Sequence, residues 1–420
     1  MKKLALHWKI LIGMALGVVF GAFLSFVPNG SGFIKDYIKP FGTIFINLLK
    51  LIAVPLILAS LIKGVSDLKD ISKLSQMGGR TILTYLITTL TAVTIGLILV
   101  NTIQPGKSIS VETRNELVEA YSTNTQEKQA AAAKQKEAGP LNALVEMVPS
   151  NIFLAASNNR NMLQVIFFAL FFGIGMILLP RKKIKPVKKF FDSFNNIILK
   201  LIDLIMLAAP YGVFALLAAL VVEAPSLELF QALALYAITL LLGLAAMIVV
   251  YIMIVRVFTK KKVDFFMKGI APAQLLAFST SSSAATLPVT MECVEENLGV
   301  DEEVASFVLP IGATINMDGT SVYQGVAAVF IAQAFGLDLS LSAQLGIVFT
   351  ATLASIGTAA VPSAGIVMLV IVLAQAGIPE AGLALIFAID RPLDMCRTIV
   401  NVTGDAAVSM IVGKSIGKLK

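Results

Sequence analysis

The chain has 420 residues, of which 57% are hydrophobic and only 14% are charged, and its mean hydropathy is +0.86. Soluble domains usually carry about 25% charged residues, so this composition excludes an ordinary water-soluble globule. The formal charge of +7 is typical of basic cytoplasmic loops in a membrane protein, and we expect no nucleic-acid partner.

Several apolar runs approach or exceed the roughly 20 residues that a helix needs to cross a bilayer core. They span residues 10–26, 43–62, 81–103, 163–179, 197–222 and 229–255. The chain is therefore predicted to be an all-α integral membrane protein. No small-residue cleavage site follows the first run, so no cleaved signal peptide is expected.

Lysine and arginine are concentrated after the second, fourth and sixth runs and at the carboxyl end. These residues are Lys63, Lys69, Lys73 and Arg80; Arg181, Lys182, Lys183, Lys185, Lys188 and Lys189; Lys260, Lys261 and Lys262; and Lys414, Lys418 and Lys420. If the spans alternate in direction, all four clusters lie on one side, which the positive-inside rule makes cytoplasmic. We predict a multi-pass protein of the inner (plasma) membrane with both termini in the cytoplasm and residues 104–160 outside.

Beyond about residue 263, polar residues, Gly and Pro interrupt the apolar stretches at bilayer depth. Irregular backbone is tolerated there only where it is buried in protein or lines a cavity. The first interruption contains Ser282 and Ser283, between apolar segments that are too short to cross singly. It predicts a hairpin that enters from the cytoplasm and turns back; an extramembrane Ser/Thr linker is the alternative.

The second interruption, at 316–320, places Asp318 inside the long apolar segment 304–335. An aspartate at the centre of a membrane helix costs about 2.5–3.5 kcal/mol on insertion scales, so it usually faces a cavity or an ion. Gly319 permits a helix break, which would free carbonyl oxygens that hard cations favour. The alternative is a structural aspartate that a neighbouring helix satisfies.

The third interruption, at 354–365, is rich in small residues and lies between the apolar arms 345–353 and 366–376. It predicts a second hairpin, entering from outside, whose backbone can approach a bound molecule closely. Because small residues also serve ordinary helix packing in membranes, packing alone is an alternative explanation.

The final span carries a polar stripe. Its members are Asp390, Arg391, Asp394, Arg397, Asn401 and Asp405. At about 100° per residue, five of them fall within about 80° of one another, and Arg391 lies at the edge. Lipid does not tolerate such a stripe, so it must face protein, water or ligand.

The residue types of this stripe suit a zwitterion with a second carboxylate. Arg397 offers a planar fork that matches a carboxylate, and Asp394, one turn away, can accept hydrogen bonds from an ammonium group. An internal ion-pair network that only positions the helix is the alternative. Because the stripe and Asp318 together carry more acidic than basic groups, an acidic substrate needs accompanying cations, either Na⁺ or in part protons.

These motifs resemble, over essentially the whole chain, those of the glutamate transporter family of dicarboxylate/amino acid:cation symporters, and most closely its prokaryotic sodium–aspartate/glutamate members. The matching stretches are 281–283 with 286–288, 316–320, and 394–398 with 401–405. The resemblance implies a homotrimer with eight transmembrane helices and two re-entrant helical hairpins, working as an elevator-type transporter.

The resemblance also implies a site. Substrate would contact Ser282, Ser283, Thr320, Asp394, Arg397 and Asn401, and the backbone of Gly357 and Thr358 in the second hairpin. One Na⁺ would lie on Asp405, Asn401 and the backbone of the broken helix. A second would use Asp318, Asn316, Tyr85, Thr88 and Thr89, and a third would lie between Thr314 and the backbone around Ser355.

The implied organisation divides the chain into a scaffold and a transport domain. Residues 1–80 and 161–228 would form the scaffold, and 104–160 an extracellular loop. The third span, 81–103, and the sixth, 229–262, would join a transport core formed by 263–420.

We therefore predict a secondary active symporter, not an enzyme, that imports L-aspartate or L-glutamate with Na⁺ and needs no organic cofactor. A proton- or sodium-coupled C4-dicarboxylate symporter is the nearest alternative, because an arginine at position 391 is similar to the pattern of the dicarboxylate branch of the family. Asp394, in contrast, favours a substrate with an amine. An ion channel is a further alternative. Gln324 stands where animal members carry an acidic residue linked to proton coupling, so coupling of that kind is not expected.

Overall fold

The computed structural model describes residues 6–67, 75–110, 112, 148–157, 161–223, 227–356 and 364–420. Within these ranges the secondary structure is helical, apart from one isolated antiparallel bridge between Val300 and Leu419. The longer helices are α1 Leu6–Ser25, α2 Lys39–Asp67, α3 Ser75–Ile103, α4 Met162–Leu178, α5 Arg181–Leu207, α6 Ala209–Glu223, α7 Leu227–Thr259, α8 Val263–Thr280, α9 Ser283–Glu292, α10 Glu302–Ile315, α11 Asp318–Ala334, α12 Leu341–Ile356, α13 Ala364–Gln375 and α14 Leu383–Ser415. Shorter helical turns lie at Gly30–Phe33, Ile34–Ile38, Pro105–Ser108, Ile152–Ala156, Cys293–Asn297 and Glu380–Gly382.

Four helical runs in the described ranges are long and apolar enough to cross a membrane. They are Gly30–Lys63, Met77–Ser108, Glu228–Thr259 and Ile389–Ser415. Shorter apolar helices cover Ile12–Ser25, Gln164–Leu178, Leu341–Ser355 and Ala364–Gln375. This architecture is that of an all-α membrane protein, as the composition predicts, and the number of eight spans stays a prediction.

The apolar run 197–222 is not one straight helix. It includes the end of α5 and most of α6, and the pair Lys182–Ile205 and Ala209–Ala219 is bent by 50°. Pro210 lies at the second position of α6, where its ring and its missing N–H are incompatible with a continuous helix. The predicted crossing run is thus a bent pair of helices rather than one continuous helix.

One set of helices packs around α1, α2 and α6. α1 lies along α6, and α2 contacts α4, α5 and α6. The close approach of α1 requires glycine, because a Cβ at Gly17 would lie 3.1 Å from Cα of Phe214 on α6. Small residues at such crossings let membrane helices approach without a clash.

A second set of helices packs around α11 and α14. α3 contacts α7, α11 and α12, and α14 contacts α7, α8, α10 and α11. Every residue of α11 is buried. The polar stripe of α14 therefore faces other helices rather than lipid, as the cost of charge in hydrocarbon requires.

Two pairs of consecutive short helices pack against each other, α8 with α9 and α12 with α13. The first pair turns at Ser281, which has a left-handed φ of 52°. Ser282 and Ser283 follow it and are buried, so the alternative of an extramembrane Ser/Thr linker is not supported. The turn of the second pair, 357–363, lies outside the described residues.

Candidate functional site

The site is organised by the break between α10 and α11, at Asn316 and Met317. A helix that ends leaves carbonyl groups unpaired, and one that begins leaves N–H groups unpaired. α14 satisfies part of this need. Oδ1 of Asn401 accepts from the backbone N–H of Gly319 at 2.8 Å, and Nδ2 of Asn316 donates to the carbonyl of Asn401 at 3.2 Å. Only glycine fits at 319, because a Cβ there would lie 3.0 Å from Cα of Arg397.

Arg397 is fully buried at the centre of a charged cluster. Its Nη2 donates to Oδ1 of Asp394 at 2.8 Å and lies 3.0 Å from Oδ1 of Asp390. Its guanidinium carbon lies 3.8 Å from the centroid of the Tyr323 ring on α11, a cation–π contact. Nη1 of Arg391 donates to Oδ2 of Asp394 at 3.2 Å. Two arginines and two aspartates thus compensate one another.

This ion-pair network leaves donors of Arg397 available. Neither Nε nor Nη1 has a hydrogen-bond partner among the described residues. Nη1 faces the start of α13, where a Cβ on Gly365 would lie 3.4 Å from it and 3.1 Å from the methyl of Thr320. Buried guanidinium donors are normally paired, so this corner between α11, α13 and α14 is suited to an anionic group.

The predicted serines lie at the tip of the first hairpin. Ser282 precedes α9, and its Oγ accepts from the backbone N–H of Ala285 at 3.1 Å as an N-cap. Ser283 is the first residue of α9, and α9 contacts α14. Gly357 and Thr358, the predicted backbone ligands of the second hairpin, lie outside the described residues.

Asp405 lies where α14 passes the end of α10. Its Oδ1 accepts from Nδ2 of Asn316 at 2.9 Å. A Cβ on Gly312 would collide with both this carboxylate and the hydroxyl of Tyr85, so Gly312 keeps the two oxygens close together. Oδ1 of Asn316 is buried and has no partner among the described residues. A buried carboxylate, a hydroxyl and a free amide oxygen are ligands that a hard cation prefers.

Asp318, at the first position of α11, is fully buried and held by two other helices. Oγ1 of Thr89 on α3 donates to its Oδ1 at 2.7 Å, and the hydroxyl of Tyr251 on α7 donates to its Oδ2. The neighbouring Thr88 donates to the carbonyl of Tyr85 on its own helix, at 3.1 Å. Of the predicted ligands, Thr89 is thus bonded to Asp318, whereas Asn316 is bonded to Asp405.

The residues predicted for a third cation position differ in exposure. Thr314 is exposed, and its hydroxyl donates to the carbonyl of Ile311 at 2.9 Å, within α10. Ser355 is fully buried near the end of α12, and its Oγ has no partner among the described residues. Their helices, α10 and α12, contact each other, and a cation position between Thr314 and the backbone around Ser355 stays a prediction.

Sequence reasoning missed two aromatic residues that contact the predicted site, Tyr251 and Tyr323. Tyr251 lies in the apolar run of α7 together with Tyr236, and a tyrosine hydroxyl within such a run is the signal that the sequence offers. Tyr323 lies one turn beyond Thr320 on α11, on the face toward α14. Asp390 belongs to the predicted stripe, and the structure adds its ion pair with Arg397.

Comparison with known proteins gives matches along the whole chain. Residues 6–415 match the sodium:dicarboxylate symporter family. The proton/sodium-glutamate symport protein of Geobacillus stearothermophilus is 35% identical, over 100% of this chain and 96% of the relative. The proton/glutamate-aspartate symporter of Escherichia coli K12 is 33% identical, over 98% and 93%. The excitatory amino acid transporter 3 of Homo sapiens is 37% identical, over 97% and 85%.

Proposed function

The chain belongs to the sodium:dicarboxylate symporter family, and from this membership we infer that it is a membrane symporter that moves an acidic amino acid together with cations. It is a transporter and not an enzyme. We propose further that the substrate is L-aspartate or L-glutamate, that the coupling ion is Na⁺, and that transport is inward.

The substrate proposal rests on the unpartnered guanidinium donors of Arg397. A fully buried guanidinium has two nitrogens without partners in the described ranges, and one of them faces Thr320 and Gly365. A substrate carboxylate placed there would accept a charge-assisted hydrogen bond from Nη1. Asp394, one turn earlier, offers a carboxylate to the substrate ammonium group. We propose Ser282, Ser283, Thr320, Asp394, Arg397 and Asn401, with Gly357 and Thr358, as the substrate contacts.

Two groups of oxygen ligands support cation sites. One lies around Asp405, Tyr85 and Asn316, and the other around Asp318 with Thr89 and Tyr251. Both consist of carboxylate, hydroxyl and amide oxygens, which suit Na⁺ better than a soft metal. A third position at Thr314 and Ser355 stays a proposal from the family resemblance.

The relatives' names include both sodium and protons, so the coupling ion needs its own argument. Gln324 is a buried amide on α11, and neither its Oε1 nor its Nε2 has a partner among the described residues. An amide cannot carry a proton in the way that a carboxylate does. This supports Na⁺ rather than a proton as the main coupling ion.

A C4-dicarboxylate is the second candidate substrate, and one contact favours it. Arg391 donates to Oδ2 of Asp394, so the carboxylate expected to bind an ammonium group already has a cationic partner. The amino acids in the relatives' names and the position of the Asp394 carboxylate one turn from Arg397 favour an amino acid.

The packing supports a moving domain. α3, α7 and α8 to α14 pack mainly among themselves, and α1, α2 and α4 to α6 do the same. Fewer contacts join the two sets, such as those of α14 with α6 and of α13 with α2. We propose that the first set, 81–103 and 229–420, slides as an elevator within a scaffold formed by 1–80 and 161–228, in a homotrimer. The positions of the basic clusters support cytoplasmic termini.

The deciding experiment is uptake of radiolabelled L-aspartate and L-glutamate by liposomes containing the purified protein. We expect concentrative uptake with an inward Na⁺ gradient and none when choline replaces Na⁺. Uptake that follows an imposed proton gradient without Na⁺ would overturn the ion assignment. Ionic current without concentrative uptake would favour a channel.

Two further measurements test the proposed arrangement in the membrane. The accessibility of introduced cysteines tests on which side the termini lie, and mass photometry of the purified protein tests the homotrimer.

A further inference from the structure

We propose that Arg391 is a specificity-determining residue, which sets how strongly the site requires an ammonium group on its dicarboxylate substrate. The inference rests on the proposed function, because it concerns which acidic solutes the same site accepts. Arg391 would act through Asp394, and we therefore describe it as a positioning residue.

Arg391 and Arg397 share one carboxylate. Nη1 of Arg391 donates to Oδ2 of Asp394 at 3.2 Å, while Nη2 of Arg397 donates to Oδ1 of the same group at 2.8 Å. The side chain of Arg391 is only 12% exposed and that of Asp394 only 9%, so the pair is largely removed from water. An ion pair in this setting fixes the orientation of Asp394 far more firmly than an exposed pair would.

The charges of the cluster balance only when Arg391 is included. Asp390 and Asp394 are compensated by Arg391 and Arg397. When the site binds a substrate carboxylate, the guanidinium of Arg397 must serve that carboxylate as well. Arg391 is then the cation that stays on Asp394, because it donates to Oδ2 whereas Arg397 donates to Oδ1.

Two substrate classes depend on this cation differently. An acidic amino acid brings its own ammonium group, which can compensate Asp394 without help. A dicarboxylate without an amine brings only negative charge, and Asp394 then depends on Arg391. Removing the charge of Arg391 would leave a buried carboxylate beside a dianion, which is a strongly unfavourable arrangement. Arg391 therefore lowers the discrimination against dicarboxylates that lack an amine.

A purely structural role for Arg391 has less support. The only acidic group within ion-pair distance of its guanidinium, among the described residues, is Asp394 on the same helix. The contact therefore does not join α14 to another helix. α14 is continuous from Leu383 to Ser415, through the position of Arg391.

The test compares two competitors of labelled L-aspartate uptake in proteoliposomes, unlabelled L-aspartate and succinate, at fixed Na⁺. The measured quantity is the ratio of the succinate IC50 to the aspartate IC50. In Arg391→Met, which removes the charge but keeps much of the aliphatic chain, we expect this ratio to rise about tenfold or more. Asp394 loses its Arg391 partner with either ligand, and only aspartate brings an ammonium group that compensates it. Arg391→Lys should keep the ratio within about threefold of the wild type, because the charge remains.

The matched control is Lys268→Met, which removes a lysine whose ion pair with Asp264 is exposed on α8. It should leave the ratio unchanged. If Arg391→Met lowers the uptake rate but leaves the ratio at the wild-type value, Arg391 is structural and the inference is wrong. If the variant does not transport, the ratio of succinate to aspartate binding constants, measured on the purified protein in Na⁺, gives the same decision. A wild type that takes up no aspartate would instead overturn the proposed function.

Discussion

The hydroxyl of Tyr251 on α7 donates a hydrogen bond to Oδ2 of Asp318, the first residue of α11. Asp318 thereby becomes a junction of three helices, since Thr89 of α3 donates to its other oxygen. A fully buried carboxylate with two neutral donors still lacks a compensating positive charge. A bound cation would supply that charge. We therefore expect the cation to offset part of the stabilisation that is lost when one of these hydrogen bonds is removed.

Tyr251→Phe is therefore expected to lower the melting temperature more in Na⁺-free buffer than in high Na⁺. A hydrogen bond to a charged group contributes about 1.5–3 kcal/mol, and the cation replaces part of the lost stabilisation. Thermal unfolding of the purified protein with and without Na⁺ measures the difference. Tyr236→Phe is the control, because that buried hydroxyl has no partner in the described ranges. An equal fall in melting temperature in both buffers would show that no cation binds near Asp318.

Arg397→Ala should abolish uptake of acidic amino acids while the protein still folds and assembles. Truncating one partner of a buried charge pair costs about 2–5 kcal/mol, which is equivalent to a loss of about thirtyfold to several thousandfold in affinity. Uptake in proteoliposomes, with size-exclusion chromatography to check assembly, tests this. Normal aspartate transport by this variant would show that the substrate carboxylate binds elsewhere.

Asp405→Asn is expected to raise the Na⁺ concentration for half-maximal uptake by about tenfold or more. The variant keeps an oxygen that can accept from Asn316 but loses the negative charge of the cation ligand. The Na⁺ dependence of uptake at saturating aspartate measures the change. Asp203→Asn, on the exposed face of α5, is the matched control and should have no effect. A variant with unchanged Na⁺ dependence would exclude Asp405 from the coupling site.

Gly365→Ala tests the corner between α13 and α14. The added Cβ would lie 3.1 Å from the methyl of Thr320 and 3.4 Å from Nη1 of Arg397, so it would crowd the position proposed for the carboxylate. We expect KM for aspartate to rise about tenfold, with a smaller change in maximal rate. Gly346→Ala, on α12 of the same hairpin, has open space around its added Cβ and should transport normally. Equal kinetics of the two variants would contradict the assignment.

The carboxyl-terminal residues around Lys418 contact the segment at the start of α10. Lys418 is ion-paired with Glu303 and Asp301, and the backbone N–H of Asp301 donates to the carbonyl of Lys418 at 3.1 Å. The hydrogen bond to Glu303 raises the pKa of Lys418 above its ordinary value. Because the folded-state pKa is raised, the pair contributes fully below the ordinary lysine pKa of about 10.4 and is lost only as pH rises through the raised value.

Lys418→Ala should therefore speed amide exchange in the segment 299–303 at neutral pH. The wild type should show the same protection at pH 6 and pH 9, after correction for intrinsic exchange. Hydrogen exchange with mass spectrometry measures both. Lys414→Ala, which is exposed near the end of α14, is the control. Exchange in Lys418→Ala at the wild-type rate would mean that the backbone contacts alone hold the tail.

Much of the fold follows from one-dimensional patterns. The apolar run 229–255 lies within α7, which extends to Leu227–Thr259, and the run 81–103 lies within α3. The break at 316–320 follows from Asp318 and Gly319, because charge and glycine both disfavour a continuous membrane helix there. The inward direction of the α14 stripe follows from the cost of placing charge in lipid.

Other features depend on tertiary contacts that no local pattern carries. The bend between α5 and α6, at Ala208, lies inside an apolar run, so a hydropathy profile does not predict it. Asn316 donates to Asp405, a contact that depends on how α14 crosses the helix break. Tyr251 is 67 residues from Asp318 in sequence, so no local sequence pattern predicts their contact.

The arrangement of partners around α11 and α14 has a consequence for biosynthesis. Thr89 and Tyr251 precede Asp318 in the chain, so the groups that solvate this carboxylate are already synthesised when α11 emerges from the ribosome. Arg397, whose side chain is fully buried, belongs to the last helix of the described ranges, and its neighbours Asp390 and Asp394 emerge with it. The order of synthesis thus lets each buried charge enter the bilayer with a partner already available, which lowers the barrier to inserting helices that could not enter lipid alone.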